Sequence, residues 1–261
     1  ELVKEFEQKI EELGSENVAA FIAEPVLASG GCIVPPDGYF KKIYDVCKKN
    51  EIIFIADEVV TGFGRLGHFF SSEEIFGVVP DIITCAKGIT SGYLPLGAVL
   101  FSNKLIADLK NDSSLFFHGY TYSGHPACCA AALKNIEILK RDKILEHVKE
   151  IEPYFFKKLN SLYDLPIVGD IRGKGLMAGI ECVINKDSKE ALVLDQAIGS
   201  RIDEESIKLG LIIRPLYHIC VLSPALIINK EQINELTEKL YQAISNTIDQ
   251  LKTEGLWSQT K

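Results

Sequence analysis

The chain has 261 residues, of which 47% are hydrophobic and 25% charged; that is the balance of a globular protein with one large core or two domains, and it excludes disorder. A net charge of −8 with a pI near 5.3 offers no basic surface for a phosphate backbone, which excludes nucleic acid as a partner and favours a small-molecule substrate. The seven cysteines are scattered, odd in number and free of CxxC or Cys/His metal spacing, so reduced thiols, no metal site and a reducing, cytoplasmic compartment are expected.

In chain order, residues 1–14 (ELVKEFEQKIEELG) make an amphipathic charged helix with no signal-peptide layout. No apolar run approaches the roughly 20 residues that span a bilayer, so no membrane partner is expected. Residues 18–23 (VAAFIA) form a short strand stopped by Glu24-Pro25, followed by the turn-rich ASGGCIVPPDG. Asp37 then caps a helix running to about residue 49, with Tyr39, Phe40, Ile43, Val46 and Cys47 at helical spacing.

A strand over 51–56, a loop over 57–72, a strand over 82–86, a glycine-bearing loop and a strand over 96–101 come next. Short, wholly apolar strands alternating with amphipathic helices predict a largely parallel sheet buried on both faces. Two helical stretches, one to about residue 140 and one over 143–163, lead to a second domain of α+β texture. It carries a helix near 190–208, strands over 211–214 and 219–222, and a final helix near 230–252. The expected division is 1–145 for the large domain and 146–261 for the small C-terminal one.

In open α/β sheets, ligands sit at the carboxyl ends of strands, where loops carry polar groups over a rigid floor. Asp57 and Glu58 end the run Ile52-Ile53-Phe54-Ile55-Ala56, and Lys87 ends Ile82-Ile83-Thr84-Cys85-Ala86. Each segment alone reads equally as the place where polar residues resume after a strand. Together, with glycine-rich loops behind both, they indicate a site. An amine at the mouth of a dry pocket loses part of its preference for the charged form and attacks aldehydes. A Schiff-base lysine with a separate acid suits pyridoxal 5'-phosphate, whose electron-sink action needs a protonated ring nitrogen held by a carboxylate. Asp57 is then the carboxylate and Lys87 the covalent anchor.

Five segments, FIAEPV, IADEVVTGFGRLG, PDIITCAKGITSGYLPLGAV, FHGYTYSGHPACCAAAL and IRGKGLMAGIE, resemble in order and spacing the class III pyridoxal-phosphate aminotransferases. The resemblance is closest to the omega branch and covers nearly the whole chain. It implies fold type I, with a mostly parallel large-domain sheet flanked by helices and a smaller α+β domain. It also implies amino transfer from an amine or omega-amino acid to a keto acid such as pyruvate, in a homodimer with shared active sites. A decarboxylase or aminomutase on the same fold is the alternative that Asp57 and Lys87 serve as well. A fragment that only pairs with a full-length subunit is the other.

By the same resemblance, Val59 packs on the cofactor ring, or is a plain core valine. Thr121 reaches the phosphate in the neighbouring subunit, or is a turn or capping hydroxyl. Arg214 swings in to bind a substrate carboxylate, or is a solvated arginine beside a proline. Glu24 lines or buttresses the site, or simply ends a strand, and Arg172 orders the small domain or lies on the surface. His118 and His125 are read as structural. The segment after Arg214 departs from the family: Tyr217-His218 stands where Gly-Asp is usual, and Ser223-Pro224-Ala225-Leu226 where a Pro-Pro-Leu is usual. Family members are considerably longer, which implies that this chain corresponds to their later portion, without the glycine/serine loop that cradles the cofactor phosphate. An organellar address stays open, since a transit peptide would lie in that earlier portion.

Overall fold

A computed structural model of the chain describes residues 1–111, 116–186 and 195–257 and divides into two compact units. The first comprises Glu1–Val26 and Pro35–Leu145, the second Leu27–Val34 and Glu146–Lys261. The segment Leu27–Val34, which the sequence places in the first domain, belongs to the second unit.

The first unit runs α1 (Leu2–Leu13), β1 (Ala20–Ala23), α2 (Tyr39–Lys49), β2 (Ile53–Asp57), α3 (Ser71–Glu74), β3 (Ile82–Cys85), β4 (Ala98–Phe101), α4 (Asn103–Asn111) and α5 (Pro126–Arg141). Its sheet has the order β1-β2-β3-β4. β1, β2 and β3 are parallel, with Ala23 opposite Ala56 and Asp57 opposite Thr84, and β4 runs antiparallel to β3. β4 starts two residues later than expected, after a turn closed by Tyr93 N–H to the Thr90 carbonyl (3.1 Å) and by the Thr90 hydroxyl to the Leu94 carbonyl (2.6 Å).

The strand period of two decides what is buried. Phe54 and Ala56 are fully buried, and Phe54 joins Ile10 of α1 and Phe40, Ile43, Val46 and Cys47 of α2 in one core. Phe54 is ringed by Phe21, Phe40 and Tyr44 at centroid distances of 5.6, 5.2 and 5.4 Å, geometries that add to the area these rings bury. Burial also pushes the Cys47 thiol up to about 11, as expected of a thiol in apolar surroundings. The opposite face, expected to be buried too, is open within this unit: Ile22 is 58% and Val99 51% exposed. The helices α1 and α2 cover one face alone.

The helix over Tyr39–Lys49 is capped differently from the expectation. Gly38, in the left-handed conformation at φ 72°, takes the N-cap position, its carbonyl accepts from Lys42 N–H (3.0 Å), and Asp37 lies one residue outside with its side chain exposed.

The second unit contains α6 (Ile144–Leu159, its first two residues in the first unit), β5 (Val168–Lys174), β6 (Met177–Cys182), α7 (Asp195–Lys208), β7 (Arg214–Leu216), β8 (Ile219–Leu222) and α8 (Lys230–Thr253). Its sheet, ordered β5-β6-β8-β7, is antiparallel throughout, and with α6, α7 and α8 it encloses a core that includes Phe155, Leu159, Ile180, Ile202, Leu240 and Ile244. β7 begins only at Arg214 because residues 209–211 finish α7: Leu209 and Leu211 N–H both bond the Ser206 carbonyl (3.0 and 2.9 Å). The expected start of the helix near residue 190 lies outside the described residues. Among the described residues no helix is long and apolar enough to cross a membrane.

α8 opens with a reciprocal capping box, Gln232 N–H to Asn229 Oδ1 (2.9 Å) and Asn229 N–H to Gln232 Oε1 (3.0 Å). Asn229→Ala is therefore expected to cost about 1 kcal/mol of stability, while Asp37→Ala, at the cap the sequence favoured, stays within about 0.5 kcal/mol. Urea unfolding of both variants measures this, and equal losses would refute the assignment of the caps.

Candidate active site

Three ionisable residues follow the carboxyl ends of three neighbouring parallel strands. Glu24 follows β1, Asp57 closes β2, and Lys87 stands two residues beyond β3. Adjacent strands lie about 4.8 Å apart, so the strands leading to Glu24 and Lys87 are on the order of 10 Å apart, a span that suits one small ligand.

The acid pair divides sharply. Asp57 is half-buried, and its Oδ1 accepts the Val59 N–H at 3.0 Å, which fixes the carboxylate at the strand end. Glu58 has no solvent exposure. Its Oε2 accepts the hydroxyls of Thr61 (2.6 Å) and Ser71 (2.7 Å), and its Oε1 accepts Ser72 N–H (2.7 Å) and the Ser72 hydroxyl. A buried carboxylate is tolerable only when its lone pairs are satisfied, and here four donors do that. Glu58 is thus a structural bolt for the loop after β2. Arg65 on that loop is itself drawn down to about 10 by burial.

The bolted loop is the floor for the lysine. A Cβ on Gly62 would lie 2.8 Å from the Glu58 carbonyl, and one on Gly88 would lie 2.9 Å from Phe63 Cβ and 3.1 Å from the Gly62 carbonyl. Only glycine lets the loops after β2 and β3 close on each other this tightly. Lys87 opens the 3-10 turn Lys87–Ile89 at φ 41°, a left-handed conformation that is costly for a residue with a Cβ. Asn135 of α5 clamps the turn, its Nδ2 donating to the Gly88 carbonyl (2.9 Å) and the Ile89 carbonyl (3.1 Å), while Ser91 Oγ donates to Asn135 Oδ1 (2.7 Å). Sequence reasoning missed Asn135; its one signal is an amide amid the helical run AAALKNIEIL.

Lys87 is exposed, because the sheet face on the Asp57 side is open. That face bears a cavity of about 880 Å³, lined among others by Thr84, Val99, Phe116, His118, Tyr120 and Ser123. Thr84, paired with Asp57 in the ladder, has a buried hydroxyl without a hydrogen-bond partner among the described residues. On the other face Cys85 is raised above the ordinary thiol range, chiefly by burial, and the Glu58 charge adds to this.

Val59 is half-buried. Thr121 is exposed, in a turn closed by Tyr120 N–H to Ser123 Oγ (2.9 Å) and Ser123 N–H to the Tyr120 carbonyl (3.0 Å). His125 is the N-cap residue of α5, and His118 packs between the rings of Phe116 and Tyr120. Arg214 opens β7 in the second unit and is exposed. Arg172, also in the second unit, is no bland surface residue. Its Nη1 donates to Asp170 (2.8 Å) and Glu181 (2.5 Å) and its Nε to the Gly31 carbonyl (2.8 Å). Burial opposes its charge, but the two carboxylates outweigh that and hold the guanidinium above its ordinary value.

A family model described as aminotransferase class-III matches residues 1–244. A putrescine–pyruvate aminotransferase from Pseudomonas aeruginosa is 44% identical over 245 residues, which is 94% of this chain and 53% of that protein. An (S)-enantioselective omega-transaminase from Thermomicrobium roseum superposes with a TM-score of 0.91 at 43% identity, covering 95% of this chain and 55% of that one. An amine transaminase from an uncultivated Pseudomonas species, solved in its PLP-bound form, superposes with a TM-score of 0.90 at 38% identity, covering 94% and 56%. The chain thus spans about half the length of the relatives it matches.

Glu58→Ala removes the common acceptor of four donors in a place water does not reach. It is expected to lower stability by on the order of 3 kcal/mol, read as a drop in the denaturant midpoint. A midpoint unchanged from the parent protein would show that the loop does not hang on this carboxylate.

Proposed function

The chain belongs to the class-III aminotransferase family, and on that premise we propose that it carries out amino transfer from an amine or omega-amino acid to a keto acid, with pyruvate as the acceptor, using pyridoxal 5'-phosphate. The observation that carries this reading is the pairing of Asp57 and Lys87 at the ends of adjacent parallel strands, on loops interlocked through Gly62 and Gly88. The groups present fit the cofactor: an acid for the ring nitrogen, an accessible amine for the aldehyde, and the unpartnered Thr84 hydroxyl on the same sheet face.

When bound, pyridoxal phosphate supplies an aldehyde that takes up the amino group and a protonated ring that draws off the electron pair. Asp57, oriented by the Val59 N–H, holds the ring nitrogen in its protonated form. Lys87 would hold the cofactor through its amine, and the same amine, when free, would carry the proton at the substrate carbon in each half of the transfer. Val59 packs on the ring face, and Arg214 offers a planar fork for a substrate carboxylate. Glu24, on the strand next to Asp57, borders the substrate.

Thr121 donates its hydroxyl to the cofactor phosphate of a second copy, so that two chains share their sites. The exposure of Phe117 (92%), Tyr120 (77%) and Tyr122 (80%) beside it supports a partner there, since exposed aromatic patches of this kind mark protein interfaces. Seven free thiols, six of them buried, support a reducing compartment, and we assign the cytoplasm.

Mixed with pyridoxal phosphate, the protein should develop a visible absorption band that Lys87→Ala abolishes. With an amine donor and pyruvate it should form alanine, and Lys87→Ala should lower that rate by about 10²–10⁴-fold. Carbon dioxide release without alanine would overturn the reading in favour of a decarboxylase.

A further inference from the structure

Lys87 enters its turn at φ 41°, and Ser91 and Gly92 leave it at φ 50° and 78°. Two residues with side chains thus hold left-handed backbone within five positions, which persists only where the surroundings over-determine the chain. The bonds of the turn itself do not supply this. Thr90 N–H to the Lys87 carbonyl is 3.3 Å and Ser91 N–H to the Gly88 carbonyl 3.2 Å, at or beyond the long end of the usual range of about 2.7–3.2 Å.

Asn135 supplies it from α5. The buried face of this helix runs through Cys128, Ala132 and Leu139, and Asn135, half-buried, falls on the same face, at a place where such a stripe ordinarily carries an apolar residue. An amide there is costly unless its polar atoms are satisfied. Its Nδ2 donates to the Gly88 carbonyl (2.9 Å) and the Ile89 carbonyl (3.1 Å), and its Oδ1 accepts the Ser91 hydroxyl (2.7 Å). Backbone carbonyls only accept, so the amide nitrogen must face them, and the Ser91 hydroxyl locks that orientation. From the loop after β2, Phe63 closes on Gly88, where a Cβ would lie 2.9 Å from Phe63 Cβ. All of these residues belong to the first unit.

We infer that Asn135 is a positioning residue for Lys87: its carboxamide keeps the turn closed and so fixes the direction in which the lysine leaves the backbone. The inference rests on the amino-transfer reading above, in which the Lys87 amine must reach the cofactor aldehyde and then the substrate carbon. A turn free to relax toward right-handed backbone swings the Cα–Cβ bond of Lys87, and the long stem carries that swing out to Nζ. Proton transfer needs its heavy atoms within hydrogen-bond reach. A small displacement of the amine therefore slows the chemical step and spares substrate binding.

Three variants of the protein with pyridoxal phosphate separate the parts. Asn135→Leu keeps an apolar stripe on α5 but none of the three bonds. Asn135→Asp keeps the shape but has no N–H for the two carbonyls. In both, the amides of Thr90 and Ser91 should exchange about tenfold faster. Their kcat for amino transfer should fall about 10–100-fold, with KM for the amino donor within about twofold of the parent. A donor deuterated at the carbon that loses its proton should show a larger isotope effect on kcat than in the parent, because proton transfer has become the slow step. Ser91→Ala, which leaves α5 untouched, should move all of these the same way by less. A merely structural Asn135 would lower the thermal midpoint and leave kcat and the isotope effect of the folded protein unchanged. Parent-rate exchange in both Asn135 variants overturns the clamp. Faster exchange with kcat and isotope effect unchanged overturns its link to Lys87. A parent protein that transfers no amino group refutes the amino-transfer reading and the positioning role with it, while the exchange rates still decide the clamp.

Discussion

One fully buried carboxylate, Glu58, holds the loops after β2 and β3 together. Charge without solvent is expensive, and the cost is offset only because Thr61, Ser71 and Ser72 surround it with four donors. Those three residues lie 3 to 14 positions downstream, so the carboxylate draws a long loop back onto the end of β2. The folded loop then presents Gly62 and Phe63 as a surface, and Gly88 packs on it too closely for any side chain. The location of Lys87 is therefore set by an acid whose bonds run to Thr61, Ser71 and Ser72.

This arrangement explains the asymmetry of two adjacent acids. Successive strand residues point to opposite faces. Asp57 shares the open face with Thr84 and Val99, while Glu58, one step on, turns into the packed side. Identical chemistry one residue apart thus yields a group available to a ligand and a group consumed by the fold. The left-handed backbone at Lys87, Phe63 and Cys32 follows the same logic: strain is tolerated where packing from several directions over-determines the chain.

The second unit adds a different device. An arginine between two carboxylates also donates its Nε–H to a backbone carbonyl, and a glycine opposite makes room for it. The result is a loop held by a seat rather than by its own sequence. Read as a turn-rich linker, ASGGCIVPPDG gives no hint of this, because turn residues report local backbone needs and not what the turn rests against.

Much was legible in the sequence by itself. The helices, most strands and the placement of Asp57 and Lys87 at strand ends follow from local periodicity and from where apolar runs stop, which neighbouring residues determine. Tertiary structure decided what depends on distant partners. The burial of Glu58 rests on donors across a loop, the clamp on the Lys87 turn comes from Asn135, 47 residues from Gly88, and the hold on the Leu27–Val34 loop comes from Arg172, 141 residues from Gly31. The open face of the sheet belongs to the same class. An apolar strand reads alike whether or not anything covers it, since hydrophobicity is a property of the residue and burial a property of its neighbours in space.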